Sequence, residues 1–139
     1  MYLLDTNVVS EGIKPKPNEQ VLAWFAEQKG TSVYLSVLTL GEIQQGITRS
    51  PHPERAQRLL NWLEQELLTQ FEGRILTLDQ AVMRTWGIIT GEAFKKGKPV
   101  SYADSLLAAT ALTHDLTLVT RNIKDVDSLP VKNINPWFS

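Results

Sequence analysis

The chain opens on an aliphatic run that stops at an acid: Tyr2-Leu3-Leu4-Asp5-Thr6-Asn7-Val8-Val9-Ser10-Glu11. Apolar residues followed abruptly by a carboxylate, a hydroxyl and an amide are how a buried strand delivers polar groups to the edge of a sheet. Asp5 is therefore the first candidate for chemistry. Glu42 and Asp104 stand in similar local settings, and the segments between them read as the scaffold that brings the three together.

Those segments alternate. Glu19 to Gln28 carries Val21, Leu22, Trp24 and Phe25 at helical spacing and is closed by Gly30. Ser32 to Leu38 is aliphatic and β-branched, suits a strand covered on both faces, and runs into a helix start at Thr39-Leu40-Gly41-Glu42-Ile43. From Pro53 to Phe71, Ala56, Leu59, Leu60, Leu63, Leu67 and Phe71 fall at three- and four-residue steps, which predicts one long helix. Arg74 to Leu78 is a short strand ending at Asp79, a cap for the helix that starts at Gln80 and carries Val82, Trp86, Ile89 and Phe94. That helix stops near Gly97, with Lys95, Lys96 and Lys98 at its negative end. Ser101 opens a helix over Tyr102 to Thr113, Leu116 to Thr120 is a buried strand, and Val131 to Ile134 is an edge strand. Strands alternating with helices predict an α/β fold: a three-layer α/β/α sandwich, built as one domain over residues 1–139, around a mainly parallel sheet of about five strands. Right-handed crossovers then place the strand-to-helix turns on one edge, where ligands bind in such sheets.

Composition removes several classes of function. The chain has no cysteine, which excludes thiolate-zinc sites, thiol nucleophiles and disulfide scaffolds and fits a reducing cytoplasm. Its apolar stretches fall short of a membrane span, and the start shows neither a basic lead nor an apolar signal core, so a soluble cytoplasmic protein without membrane attachment is expected. Fourteen basic residues against fifteen acidic ones leave a net charge of -1. Affinity for a polyanion must come from a local patch or a bound cation rather than from a global field.

The three acids have a plain local explanation. Thr39-x-x-Glu42 and Ser101-x-x-Asp104 both have the form of a capping box, and Asp5 could simply cap a short turn over Thr6 to Glu11. Together they raise an electrostatic problem. Two carboxylates about 5 Å apart at an effective dielectric of ~20 repel by roughly 3 kcal/mol, more than a cap returns. With no cysteine and no histidine near them, hard oxygen ligands call for Mg²⁺ or Mn²⁺ as the compensating charge. Thr6, Asn7, Thr120 and Asn122 are candidates to orient the acids or to hold metal-bound water. Such a centre suits phosphodiester hydrolysis, with the acids as ligands and one of them able to take the proton of the attacking water.

At this point the motifs resemble a known family. Leu4-Asp5-Thr6-Asn7-Val8, Thr39-Leu40-Gly41-Glu42-Ile43, Asp104-Ser105-Leu106-Leu107-Ala108-Ala109-Thr110-Ala111 and Leu118-Val119-Thr120-Arg121-Asn122 look like the motifs of the PIN-domain ribonucleases. They are similar, more narrowly, to those of the VapC toxins of bacterial toxin-antitoxin pairs, and the Ile134-Asn135-Pro136-Trp137 ending resembles the FitB-like branch. The resemblance spans essentially the whole chain. It implies a metal-dependent endoribonuclease acting on RNA, a homodimer, and a cognate VapB-type antitoxin that inhibits it. It matches Asp5, Glu42 and Asp104 to the family's three principal acids, while the fourth acidic position holds Asn122. Asp125, one turn later, is the candidate substitute, and one firmly held metal is expected rather than a symmetric pair.

Outside the motifs, Arg121 is the best candidate for contacting RNA or balancing the acids, with the lysine cluster 95, 96 and 98 as a second phosphate grip. Trp62 lies off the main stripe of its helix and belongs either to the core or to a partner surface. His52 and His114 read as a loop residue and a helix-end residue. Two other functions compete: a non-catalytic PIN-like module that binds RNA or a partner, and a phosphate-accepting receiver domain, which lacks its adjacent acids and its lysine here. A mononucleotide fold is disfavoured because no Gly-rich phosphate loop is present.

Overall fold

The computed structural model of the chain describes residues 1–138 and places among them five strands: β1 (Tyr2–Leu4), β2 (Val33–Ser36), β3 (Ile75–Leu76), β4 (Thr117–Val119) and β5 (Asn133–Ile134). The helices between them are α1 (Thr6–Glu11), α2 (Glu19–Glu27), α3 (Val37–Thr48), α4 (Pro53–Asn61), α5 (Leu68–Gln70), α6 (Gln80–Lys95) and α7 (Tyr102–Thr113). Short 3-10 turns cover Gly30–Ser32 and Ile123–Asp125. The sheet order is β3-β2-β1-β4-β5, and every pairing is parallel. β1 is therefore central, with Leu3 opposite Tyr34 on one side and Leu118 on the other.

The period of two along each strand divides the core into two layers. Leu3 and Leu118 pack with Val82, Ile89, Leu107, Ala108 and Ala111 beneath α6 and α7. Leu4 and Val119 turn the other way, to Val8, Val21, Ile43, Leu63, Leu67 and Phe71 beneath the helices from α1 to α5. This is the sandwich expected of right-handed crossovers in a chain that winds outward from β1 to β3 and then returns past β1 to β4 and β5. The order of strands reverses between β1 and β4. In sheets of this kind the crevice at the carboxyl ends of those two strands is the ligand site.

Several boundaries differ from the sequence expectation, each for a local reason. The strands are shorter than their aliphatic runs: Arg74 to Leu78 contributes only Ile75 and Leu76, and Ser36 ends β2 by accepting the Leu38 N–H on its hydroxyl at 3.0 Å. α3 therefore begins at Val37, and Thr39 is a fully buried residue within it rather than its cap. α2 ends at Gln28 in extended backbone, and Gly30 opens a 3-10 turn instead of closing the helix. The expected parallel sheet is parallel in every pairing. Phe94, placed on the apolar stripe of α6 by spacing, is 76% exposed.

The segment from Pro53 to Phe71 is helical throughout but widens into a π turn over Trp62–Leu67. Leu59, Leu63, Leu67 and Phe71 are each four residues apart, and in a 3.6-residue helix every such step drifts by about 40°. A wider turn cancels that drift, so Leu63, Leu67 and Phe71 all stay buried. Trp62, at the start of the turn, is half-buried against the same core.

α6 and α7 start where the sequence places them. Asp79 accepts the Val82 N–H at 3.0 Å, and Gly97 takes up a φ of 71°, which the turn after α6 requires. Replacing Asp79 by Ala is expected to lower unfolding free energy by about 1 kcal/mol. Leu107→Ala, which opens a hole under the sheet, is expected to cost about 2–5 kcal/mol. Urea titration of both variants distinguishes the two magnitudes, and equal losses would contradict the placement of Leu107 in the core.

Candidate active site

Asp5 ends β1 and is 8% exposed. Its backbone N–H donates to the Val119 carbonyl at 2.9 Å, which extends the β1–β4 ladder by one bond and fixes the residue in the crevice. Its side chain is held from two directions. Oδ1 accepts the Thr6 N–H at 2.7 Å, which caps α1, and Oδ2 accepts the Thr120 hydroxyl proton at 2.7 Å. Thr120 is itself buried and accepts the Asn122 N–H at 3.1 Å.

The next residue connects the second acid. Thr6 Oγ1 donates to Glu42 Oε1 at 2.6 Å and lies 3.4 Å from Thr39 Oγ1. Glu42 is thus not a capping residue; it sits in the second turn of α3 and reaches across to α1. Asp104 lies in the first turn of α7, where its N–H donates to Ser101 Oγ at 3.2 Å and its Oδ2 accepts the Ser101 hydroxyl proton at 2.7 Å. The capping role anticipated for Asp104 is therefore real, although its carboxylate takes the cap's hydroxyl and not its backbone N–H.

The electrostatics tie the three acids together. Burial pushes the Asp5 carboxyl above its ordinary value of 3.8; the hydrogen bonds from Thr120 and Thr6 oppose this, and the negative charges of Asp104 and Glu42 add to it. No lysine or arginine is paired with any of the three among the described residues. The three acids thus have no ion-pair partner among the described residues.

The donor set fits a hard divalent cation in one particular way. No three acids or histidines among the described residues stand close enough together to close around an ion. Mg²⁺ commonly binds through one or two carboxylates and completes its octahedron with water and substrate phosphate. Asp5 retains lone pairs beyond the two it uses. Neither Glu42 Oε2 nor Asp104 Oδ1 has a protein hydrogen bond among the described residues. Nearby in sequence, Asn7 Oδ1 is buried with no hydrogen-bond partner.

The remaining candidates are placed as follows. Asn122 is exposed and precedes the 3-10 turn, and Asp125 closes that turn, exposed and absent from the charges that act on Asp5. Arg121 does not face the acids. Its guanidinium lies 5.0 Å over the Trp137 ring, and its charge reaches Glu11, a buried acid paired with Lys14 at 2.9 Å. Lys95, Lys96 and Lys98 are exposed at the end of α6, with Lys95 3.7 Å from Glu92. His52 precedes α4 and His114 follows α7, both exposed. Sequence reasoning missed Ser101 as the partner of the Asp104 carboxylate and Thr39 as the neighbour of Thr6. The capping-box spacing around Ser101 was the available signal for the first.

A raised carboxyl pKa has a definite sign in stability. Above the folded-state pKa of Asp5 the folded chain carries a charge that burial and two acids disfavour. As pH falls through that pKa toward 3.8, the folded form binds the proton first and the penalty disappears. In metal-free buffer Asp5→Asn is therefore expected to melt above the unaltered chain at neutral pH, with the difference shrinking on acidification. Thermal melts across that range test it, and a variant that melts lower at every pH would show that the carboxylate is stabilised by its surroundings.

Comparison with known proteins places this arrangement. Residues 2–128 match the model of the PIN domain. The chain is 39% identical over 137 residues to toxin FitB of Neisseria gonorrhoeae, covering 99% of each chain. A crystal structure of FitAcB from the same organism superposes with a TM-score of 0.96 over 100% of both chains. VapC ribonuclease Y4jK of Sinorhizobium fredii is 36% identical, over 99% of this chain and 98% of the relative. VapBC2 of Rickettsia felis, bound to a DNA fragment from its promoter, is 26% identical with a TM-score of 0.80, over 96% of this chain and 97% of that one. Coverage from end to end, at this identity and with this agreement of fold, means that the chain belongs to the PIN-domain family, in its branch of FitB- and VapC-type toxin ribonucleases.

Proposed function

We propose that the chain is an endoribonuclease that hydrolyses RNA phosphodiesters with Mg²⁺ or Mn²⁺ bound through one or two of the carboxylates of Asp5, Asp104 and Glu42, the rest of its shell being water and substrate phosphate. The observation that carries this reading is a buried carboxylate at the β1–β4 crevice, Asp5, held by Thr120 and by Thr6, whose hydroxyl also binds Glu42 at 2.6 Å. When bound, such an ion supplies Lewis acidity toward the phosphodiester and lowers the pKa of water. The protein's part is orientation. Thr6 and Thr120 fix Asp5, the Thr6 hydroxyl fixes Glu42, and the Ser101 hydroxyl fixes Asp104. Glu42 Oε2 and Asp104 Oδ1 are the oxygens free to ligate or to take a proton from the attacking water. With Asn122 exposed and neutral at the fourth acidic position, one firmly held ion is expected rather than a symmetric pair.

The reading extends to partners and setting. Relatives bear toxin names, and one is a VapBC pair on promoter DNA, so a VapB-type antitoxin is the expected inhibitor. An apolar groove of about 350 Å³, lined by Leu4, Val9, Leu22, Phe25, Trp62 and Phe71, would take an apolar face of such a partner. A cytoplasmic homodimer belongs to the same reading; exposed Ile88 and Phe94 on α6 are consistent with a subunit contact, and no described helix is long and apolar enough to cross a membrane.

The second reading, a non-catalytic RNA- or partner-binding module, is favoured by Asn122 at the fourth acidic position. The two separate when purified chain is incubated with total RNA and Mn²⁺ or Mg²⁺, with and without EDTA, beside Asp5→Asn and Thr120→Val. The expected outcome is cleavage that EDTA and Asp5→Asn abolish, with apparent metal affinity reduced about 10- to 100-fold in Thr120→Val. RNA retention without cleavage by the unaltered chain would establish the module instead.

A further inference from the structure

The hydroxyl that holds Asp5 is itself set by a peptide group. Thr120 Oγ1 donates to Asp5 Oδ2 at 2.7 Å and accepts the Asn122 N–H at 3.1 Å. A hydroxyl has a single proton, and an N–H arriving on its oxygen leaves that proton to point elsewhere, here at the carboxylate. The N–H belongs to the peptide unit between Arg121 and Asn122. The carbonyl of that same unit, on Arg121, accepts a proton from the Asn135 side-chain Nδ2 at 3.0 Å. A trans peptide unit is planar, with its N–H and C=O pointing opposite ways, so turning the carbonyl turns the N–H with it.

Asn135 is held in a definite orientation. The Trp137 N–H donates to its Oδ1 at 2.9 Å. An N–H donor meets only the oxygen of an amide, so the NH₂ end is the one that faces Arg121. Docking of the chain's end does not account for the bond to Arg121. Trp137 is buried in the layer of Leu4 and Val8 beneath the Arg121 guanidinium, and the Thr120 N–H already donates to the Ile134 carbonyl at 3.0 Å. The additional bond acts on the plane of the 121–122 peptide, which those contacts do not touch.

We propose that Asn135 is a positioning residue for Asp5, acting through the 121–122 peptide and the Thr120 hydroxyl, and that its loss weakens the grip of Asp5 on a divalent cation. The cation rests on the nuclease reading above; the path of bonds does not. Hydrogen bonds in series polarise one another, so removing the first weakens the last. A carboxylate held less firmly has more orientations to lose when it binds, and it binds less tightly. Asn135 itself has no hydrogen bond to any of the three acids, so its effect has to pass through Thr120.

The test uses the full chain, unaltered and as Asn135→Ala and Asn135→Asp. An ionised Asp keeps an oxygen for the Trp137 N–H but has no proton for the Arg121 carbonyl. Deuterium exchange of the Asn122 amide is followed by NMR without metal, and Mn²⁺ affinity is titrated by electron paramagnetic resonance for Asn135→Ala with and without Thr120→Val. The expected result is faster exchange at Asn122 in both variants. Asn135→Ala is expected to lower Mn²⁺ affinity about two- to tenfold and to have no further effect once Thr120→Val has removed the hydroxyl. Unchanged exchange at Asn122, unchanged Mn²⁺ affinity, or an equal loss in both backgrounds would overturn the proposal, the last being what a merely loosened chain end produces. Cleavage of RNA is scored separately. Metal-dependent cutting by a chain whose Mn²⁺ affinity ignores Asn135 sinks only the positioning role, whereas the expected Mn²⁺ pattern in a chain that never cuts sinks only the nuclease. If no form binds Mn²⁺, the nuclease reading falls and exchange at Asn122 alone decides the positioning role.

Discussion

The structure turns on one carboxylate fixed between two neighbouring strands. Asp5 is joined to β4 by a backbone bond to Val119 and a side-chain bond from Thr120, and to α1 by the Thr6 N–H. Those three contacts place a buried negative charge where the order of strands reverses, and the positions of Glu42 and Asp104 acquire meaning only relative to it. A solvated acid at the same point would repel its neighbours weakly, because water screens it. In the crevice burial raises the proton affinity of Asp5, and the charges of Asp104 and Glu42 add to it.

Capping and charge clustering are not alternatives in this fold. Asp5 caps α1, and Asp104 forms a box with Ser101, yet both charges act on one another. The start of a helix that leaves the carboxyl edge of a parallel sheet is already inside the crevice, so a residue that ties off the helix also faces whatever binds there. The positive end of the helix dipole makes that position tolerable for an anion. Local stability and ligand binding thus draw on the same side chains.

Much of this was legible in the sequence. The abrupt end of Tyr2-Leu3-Leu4 at Asp5, the capping spacings at Asp79 and Ser101, and the five aliphatic runs specify the layers and the edge on which the acids lie. Other features were hidden because they depend on contacts distant along the chain. Ser36 takes over the start of α3 only because β2 ends early, which turns Thr39 inward. The four-residue spacing from Leu59 to Phe71 is compatible with an ordinary helix until the need to keep all four leucine and phenylalanine positions inward selects a wider turn. Arg121, adjacent to Thr120, looked suited to the acids, but its guanidinium lies over the ring of Trp137.

The pairing of β1 with β4 also governs when the crevice can exist. Asp5 is made before Thr120, its hydrogen-bond donor, which lies 115 positions later. A parallel partner that far along the chain closes a long loop and is slow to find. During synthesis the opening strand can dock on β2, but the far wall of the crevice is missing until residues 117 to 120 have left the ribosome. The carboxyl edge of the sheet is consequently assembled from segments that meet only after the whole stretch between β1 and β4 has been made.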